Sequence, residues 1–189
     1  MFFKSLIIII SIFIFSCQPI EVISPVEFDT SKLEKISINA KEKVIQNNYD
    51  PLFSKENIET QISNPPITIL EDWLSSNVIN FGNQNKLVIN ILDASILKKE
   101  IDNLNAKQFE EKIIFSYEVF LLVEYYLYDD SDYLLANTTV EITRSTTSQK
   151  YISLNEKELI INDILIKAQK DFVNESKSML KLYMAPYLQ

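Results

Sequence analysis

The chain has 189 residues, one cysteine, one glycine and no histidine, and its formal net charge is −8 at pH 7. The lack of histidine excludes Ser-His-Asp and Cys-His nucleophilic mechanisms and removes the commonest zinc ligand. One glycine cannot form a Gly-rich phosphate loop, and the acidic balance predicts neither a nucleic-acid partner nor a general attraction to anionic lipid. We therefore predict a non-enzymatic protein with no metal site and no cofactor, although hydrolysis by a pair of carboxylates is formally left open.

The N-terminus carries Lys4 and then an apolar run that ends at Ser16 and Cys17. This is the layout of a secretory signal, and the run is too short for a bilayer-spanning helix, which needs about 20 residues. The stretch Ile14-Phe15-Ser16-Cys17 resembles the lipobox of bacterial lipoproteins. The resemblance implies cleavage before Cys17 and acylation of its thiol and new amino group. There are two alternatives. One is a plain signal peptide followed by a buried structural cysteine, and the other is a retained transmembrane anchor.

Three segments are predicted on this basis. Residues 1–16 are the lipoprotein signal peptide, residues 17–34 are the lipidated N-terminus and a tether, and residues 35–189 are a single α+β domain. Loss of the signal removes only Lys4 among the charged residues, so the net charge changes from −8 to −9. Two prolines and little periodicity after Cys17 are typical of a flexible leash.

Hydrophobic periodicity predicts the element order β-α-β-β-β-α. The first strand covers residues 35–47, where apolar and polar residues alternate at its start. A helix opened by Pro65-Pro66 follows, because proline suits a first helical turn. Its apolar stripe runs from Ile69 to Phe81, and Gly82 is predicted to be the left-handed residue that ends it.

The second half of the chain predicts three more strands and a long helix. The strands cover residues 86–98, 113–127 and 133–147, and the turn between the last two begins at Asp129-Asp130-Ser131-Asp132. Ser153-Leu154-Asn155-Glu156 is a capping-box sequence that starts the final helix, which ends before Pro186. We expect a mostly antiparallel four-stranded sheet with both helices on one face. The other face is only partly polar, which indicates that something covers it.

Four local features have both a functional and a structural interpretation. The aspartates of residues 129–132 could bind calcium, but Asp and Ser also favour turns. The Asp93-Ala94-Ser95 step has no base beside it and is interpreted as a strand bend. Tyrosines between residues 117 and 151 suit either a binding face or sheet packing. Arg144, the only arginine, suits phosphate or carboxylate binding, or an ion pair at a strand end.

The strand Ala136–Ser145, followed by a polar gap and a long helix, resembles the lipopolysaccharide-assembly lipoproteins of the LptE type. Auxiliary lipoproteins of ABC-type lipid transport systems are similar in outline. The first resemblance implies a non-catalytic lipoprotein anchored at the periplasmic face of the outer membrane in a Gram-negative bacterium. It also implies an outer-membrane β-barrel partner, and lipopolysaccharide contact through Arg144. The second implies a transporter protein as partner. Gln18, directly after Cys17, favours the outer membrane.

Overall fold

The computed structural model describes residues 29–51 and 54–189, so Cys17 and the lipobox lie outside the described residues. The helices are α1 (Pro66–Asn77) and α2 (Leu154–Tyr183). The strands are β1 (Ile36–Asn39), β2 (Glu42–Asn47), β3 (Val78–Phe81), β4 (Lys86–Asp102), β5 (Ile113–Tyr128) and β6 (Leu134–Gln149). The predicted α+β class, with two helices and a mostly antiparallel four-stranded sheet, is confirmed.

The main sheet has the strand order β2-β4-β5-β6. Strands β4, β5 and β6 form an antiparallel meander, and β2 is added in parallel at the β4 edge. Since β5 and β6 each have 16 residues, they run for about 50 Å at the usual rise per residue. A β-bulge lies between Ile91 and Asp93, next to the predicted strand bend.

Both helices cover one face of this sheet, as predicted. The odd positions of β5, from Tyr117 to Leu127, are buried beneath them, while the even positions are only partly buried. The centre of the core is the contact of Trp73 in α1 with Phe172 in α2. Their rings lie edge to face with centroids 5.8 Å apart, and both are fully buried. The capping box of α2 is present, because Ser153 Oγ accepts a hydrogen bond from the Glu156 amide.

The predicted first strand is wrong in one respect, because residues 35–47 form two strands. The chain bends at Ala40 and Lys41, where the Lys41 amide donates to the Asn85 carbonyl at 2.9 Å. Only β2 enters the main sheet. Strand β1 instead pairs in parallel with β3, which gives a separate two-stranded sheet. Apolar and polar residues alternate only up to Ala40, and such alternation does not identify which strand each half pairs with, so the sequence could not show that the two halves have different partners.

The predicted end of the first helix is also wrong. Helix α1 ends at Asn77, and residues 78–81 form β3. The Lys43 ammonium donates to the carbonyls of Leu74, Ser75 and Val78 at 2.9, 2.8 and 2.6 Å, which satisfies the free carbonyls of the last turn. Gly82 has the expected positive φ, at 112°, but in the turn between β3 and β4. A Cβ there would lie 2.1 Å from Asn39 Oδ1.

The domain is elongated and its two ends differ. We call the tether end the one that holds the C-termini of both helices, the β1–β3 sheet and the chain from Asp29 onward. Asn77 Nδ2 donates to the Leu33 carbonyl at 2.8 Å, which fixes the incoming chain against α1. We call the far end the one formed by the β4–β5 connection, residues 103–112, and the start of α2.

The folded protein is expected to lose stability as the pH rises above about 10. Tyr125 is fully buried, and burial raises the pKa of its hydroxyl despite the opposing hydrogen bond with Ser176 Oγ at 3.2 Å. The folded state therefore keeps a proton that the unfolded state releases near pH 10. The stabilising contribution is complete below the unfolded-state pKa and is lost as the pH rises through the folded-state pKa.

Urea denaturation between about pH 8 and about pH 11 would measure this loss. Tyr125→Phe should reduce the decline in the free energy of unfolding, because the titrating group is gone. Tyr133→Phe is the matched control, since Tyr133 is 74% exposed. An equal decline in the wild type and both variants would contradict the assignment to Tyr125.

Candidate functional site

Arg144 lies on the helix-facing side of β6 and joins this strand to α2. Its Nη2 is 2.6 Å from Asp171 Oδ2, and its Nε donates to the same oxygen at 2.8 Å. Both side chains are more than a third exposed, so the pair contributes little to stability. The guanidinium of Arg144 thus forms an ion pair within the domain. This agrees with the structural interpretation of Arg144, an ion pair at a strand end. Its contact with a lipid ligand stays a prediction.

The Asp129–Asp132 segment is the turn of the β5–β6 hairpin. Asp129 Oδ1 accepts hydrogen bonds from the amides of Ser131 and Tyr133, both at 2.8 Å, and Asp132 has a positive φ of 60°. These contacts use a carboxylate oxygen to order the turn. Within residues 29–51 and 54–189, no group of three or more acidic, histidine or cysteine side chains has the arrangement of a metal site.

The tyrosines named in the sequence do not form one surface. Tyr117 and Tyr125 are buried in the core, whereas Tyr133 and Tyr151 are largely exposed. Tyr126 and Tyr128 lie on the sheet face away from the helices, where their rings stack with centroids 6.2 Å apart. The Tyr126 hydroxyl donates to Glu124 at 2.9 Å, and this bond is the leading cause that raises the pKa of Tyr126.

The sheet face away from the helices, which we call the open face, mixes apolar and polar residues. Neither helix covers it, and its side chains are partly buried by one another. Along β4 and β5 it carries Val88, Asn90, Leu92, Ser95, Leu97, Glu118, Phe120, Leu122, Glu124 and Tyr126. An antiparallel sheet can pack one face against the core and leave the other face in contact with solvent. A row of aliphatic and aromatic side chains on its uncovered side is what a protein partner could bury.

A cavity of about 350 Å³ opens at the centre of the open face, beside the β-bulge. We call it the bulge cavity. Its apolar wall is formed by Leu92, Leu97 and Phe120, and its polar wall by Tyr49, Asp50, Asn57, Asp93, Ser95, Glu118 and Thr143. Asp93 Oδ1 is buried and has no hydrogen-bond partner among the described residues. The bulge explains this placement, because the extra residue turns the strand locally.

The segment that crosses beside this cavity is fixed by its own polar network. The Tyr49 hydroxyl donates to Glu59, and Asn57 Nδ2 donates to the same carboxylate oxygen at 2.9 Å. Burial, followed by the hydrogen bond to Glu59, raises the pKa of Tyr49. Lys98 donates its amide to the Glu56 carbonyl at 2.7 Å, which ties the segment to β4. The described residues that line the cavity include the acids Asp50, Asp93 and Glu118 and no lysine or arginine, so the cavity favours a cationic group over an anionic one.

Two further surfaces carry unusual exposed residues. At the tether end, three lysines surround an apolar groove between β1 and the end of α2. At the far end, Leu104 and Phe109 are almost completely exposed. The lysines of the groove come from distant parts of the sequence, so sequence reasoning missed them. In the described part of the chain, no helix has the length and apolar content needed to cross a bilayer.

No protein-family model and no curated protein matches the chain. Among solved structures, a minor lipoprotein from Acinetobacter baumannii is similar at 12% identity and a TM-score of 0.38, over 72% of this chain and 87% of that one. Rare lipoprotein B from Shewanella oneidensis is similar at 14% identity and a TM-score of 0.35, over 72% and 93%. A protein described as a neuraminyllactose-binding hemagglutinin homolog from Helicobacter pylori gives 13% and 0.37, over 80% and 88%. Each of these identities is below 15% and each TM-score is below 0.4.

Proposed function

We propose that this protein is a lipid-anchored, non-catalytic lipoprotein of the bacterial envelope that binds a protein partner through the open face. The anchor is proposed from the lipobox, Ile14 to Cys17. At least two acyl chains would be attached, which gives stable anchoring where one chain is marginal. The outer membrane is the proposed location because Gln18 follows the acylated cysteine.

The observation that supports partner binding is the composition of the open face. Aliphatic and aromatic side chains cluster there around Phe120, next to acids that would give a docked partner its orientation. Aromatic anchors at the centre of a patch carry most of the binding energy of protein interfaces. The carboxylates of the bulge cavity complement a basic side chain. A partner with an apolar contact surface around one Lys or Arg therefore fits this face best.

Site-specific photocrosslinking would test this proposal in living cells. A photoreactive phenylalanine analogue at Phe120 should capture one membrane protein, whereas the same analogue at Leu159, half-exposed on α2, should not. Capture of an outer-membrane β-barrel would favour a role in outer-membrane assembly. Capture of an inner-membrane transporter component would favour an auxiliary subunit of a lipid transport system. Equal crosslinks at the two positions, or none, would contradict binding through the open face.

The acids of the bulge cavity also support a second candidate function, hydrolysis by a pair of carboxylates. That function would require activity on an envelope polysaccharide that Asp93→Asn and Glu118→Gln each abolish. The non-catalytic proposal expects no such activity in the wild type. It also expects that neither variant loses the anchor.

A further inference from the structure

The groove at the tether end combines positive charge with an apolar floor. It has a volume of about 320 Å³ and lies between the start of β1 and the end of α2. We call it the basic groove. Its lining consists of Lys35, Ile36, Ser37, Lys177, Lys181, Ala185, Leu188 and Gln189. Ile36 is buried and Leu188 is partly buried, while all three lysines are exposed.

This local charge contrasts with that of the whole chain. The net charge is −8, so three ammonium groups around one groove are a departure from the average surface. Lys177 Nζ forms an ion pair with Glu34 Oε2 at 2.5 Å, which offsets one of the three positive charges. Among the described residues, no ion pair forms with Lys35 or Lys181. The groove therefore keeps a positive potential over an apolar surface, which suits an anionic amphiphile.

The position of the groove near the tether indicates which anionic amphiphile is close to it. Asp29 belongs to the tether end, six positions before Lys35 of the groove, and Cys17 lies 12 residues earlier. Twelve residues span about 40 Å when fully extended and about 20 Å as a flexible coil. The strands are about 50 Å long, so the tether end stays closer to the anchor than the far end. The nearest abundant anionic amphiphile is then the membrane lipid itself.

We propose that the basic groove binds the phosphate headgroup of an anionic phospholipid in the membrane that holds the acyl chains of Cys17. This proposal rests on the lipid anchor proposed above. The lysines contact the phosphate, and the floor of Ile36 and Leu188 contacts the glycerol and the first acyl carbons. The domain then stands with its tether end on the bilayer. The far end, with Leu104 and Phe109, points away from the bilayer.

Each lysine near an anionic surface should favour the docked orientation by about fivefold. The effect should weaken as salt is added, because exposed charges are screened beyond about 10 Å at 0.1 M ionic strength. Lys35→Glu/Lys181→Glu should therefore reduce docking by at least about twentyfive-fold in vesicles that contain anionic lipid. Lys107→Glu/Lys112→Glu changes the net charge by the same amount at the exposed far end and serves as the matched control.

The experiment uses the full, acylated protein reconstituted in phosphatidylcholine vesicles with or without phosphatidylglycerol. Since Cys17 is acylated, a cysteine introduced by Leu182→Cys is the single free thiol for a fluorophore. Leu182 is 68% exposed and follows Lys181 without lining the groove. Leu104→Cys, at a residue that is 94% exposed, places the probe at the far end. Lipids with a quenching headgroup then report which end lies on the bilayer.

The expected result is strong quenching at position 182 and little at position 104, only with phosphatidylglycerol present. The groove double variant should abolish this difference, and the far-end double variant should leave it unchanged. Vesicle flotation separates the two proposals. A chain that floats without position-dependent quenching overturns the headgroup site alone, as does equal loss of quenching in both double variants. A chain that does not float overturns the lipid anchor, and the headgroup site with it.

Discussion

Replacing Cys17 by Ser is expected to abolish acylation and, with it, stable attachment to the membrane. The thiol is the only one in the chain, so no other residue can carry a thioether-linked lipid. Without acyl chains, the acidic mature chain has no strong general attraction to an anionic bilayer. Metabolic labelling with a clickable palmitate analogue should show a labelled wild type and an unlabelled variant. Fractionation should find the variant as a soluble or an unprocessed chain.

Ser16→Ala is the control for this experiment. It alters the neighbouring residue but keeps a small side chain directly before the cysteine, so labelling should persist. A Cys17→Ser variant that remains acylated and bound to membranes would contradict the lipoprotein assignment. It would leave a plain signal peptide or a retained transmembrane anchor as the explanation of the apolar run.

Truncating Trp73 to Ala is expected to lower the free energy of unfolding by about 3–5 kcal/mol. The side chain is fully buried between α1 and α2, with its ring edge to face with that of Phe172. Its indole Nε1 donates to the Glu34 carbonyl at 3.3 Å, so the same residue also holds the incoming chain. The substitution would leave a cavity and an unpaired carbonyl at the point where both helices meet.

Urea denaturation followed by circular dichroism would measure the change, since the only tryptophan is removed as a fluorescence probe. Phe109→Ala removes another aromatic ring, but that residue is 96% exposed. It should alter the free energy of unfolding by no more than about 0.5 kcal/mol. Similar small effects for both variants would show that the α1–α2 contact does not hold the core together.

Long, regular elements of the fold are predictable from the sequence. Strands β4, β5 and β6 and helix α2 each have at least 16 residues. Over that length the period of the apolar residues distinguishes strand from helix. Short elements are different, because Val78 to Phe81 fits the end of a helical stripe as well as a strand. These residues form a strand because β1 lies beside them in the fold and pairs with them in parallel.

The candidate sites also differ in whether the sequence alone shows them. The lipobox and the lone arginine are visible in the sequence because each is a single local feature. The basic groove is not, since Lys35 and Lys181 are 146 positions apart in the numbering and meet only when α2 packs beside β1. The bulge cavity is likewise not visible in the sequence. Asp93 and Glu118 line the same cavity only through the register of β4 with β5, which pairs Asp93 with Leu122 and Glu118 with Leu97.

The sequence alone determined the class of the fold, the antiparallel meander, the start of the long helix and the predicted acylation site. Each depends on neighbouring residues or on a period repeated over many residues. The tertiary structure alone decided that the first predicted strand divides, that β2 is parallel to β4, and where the lysines and acids gather. These features depend on strand partners and register, and local propensity carries no information about contacts between residues distant in the chain.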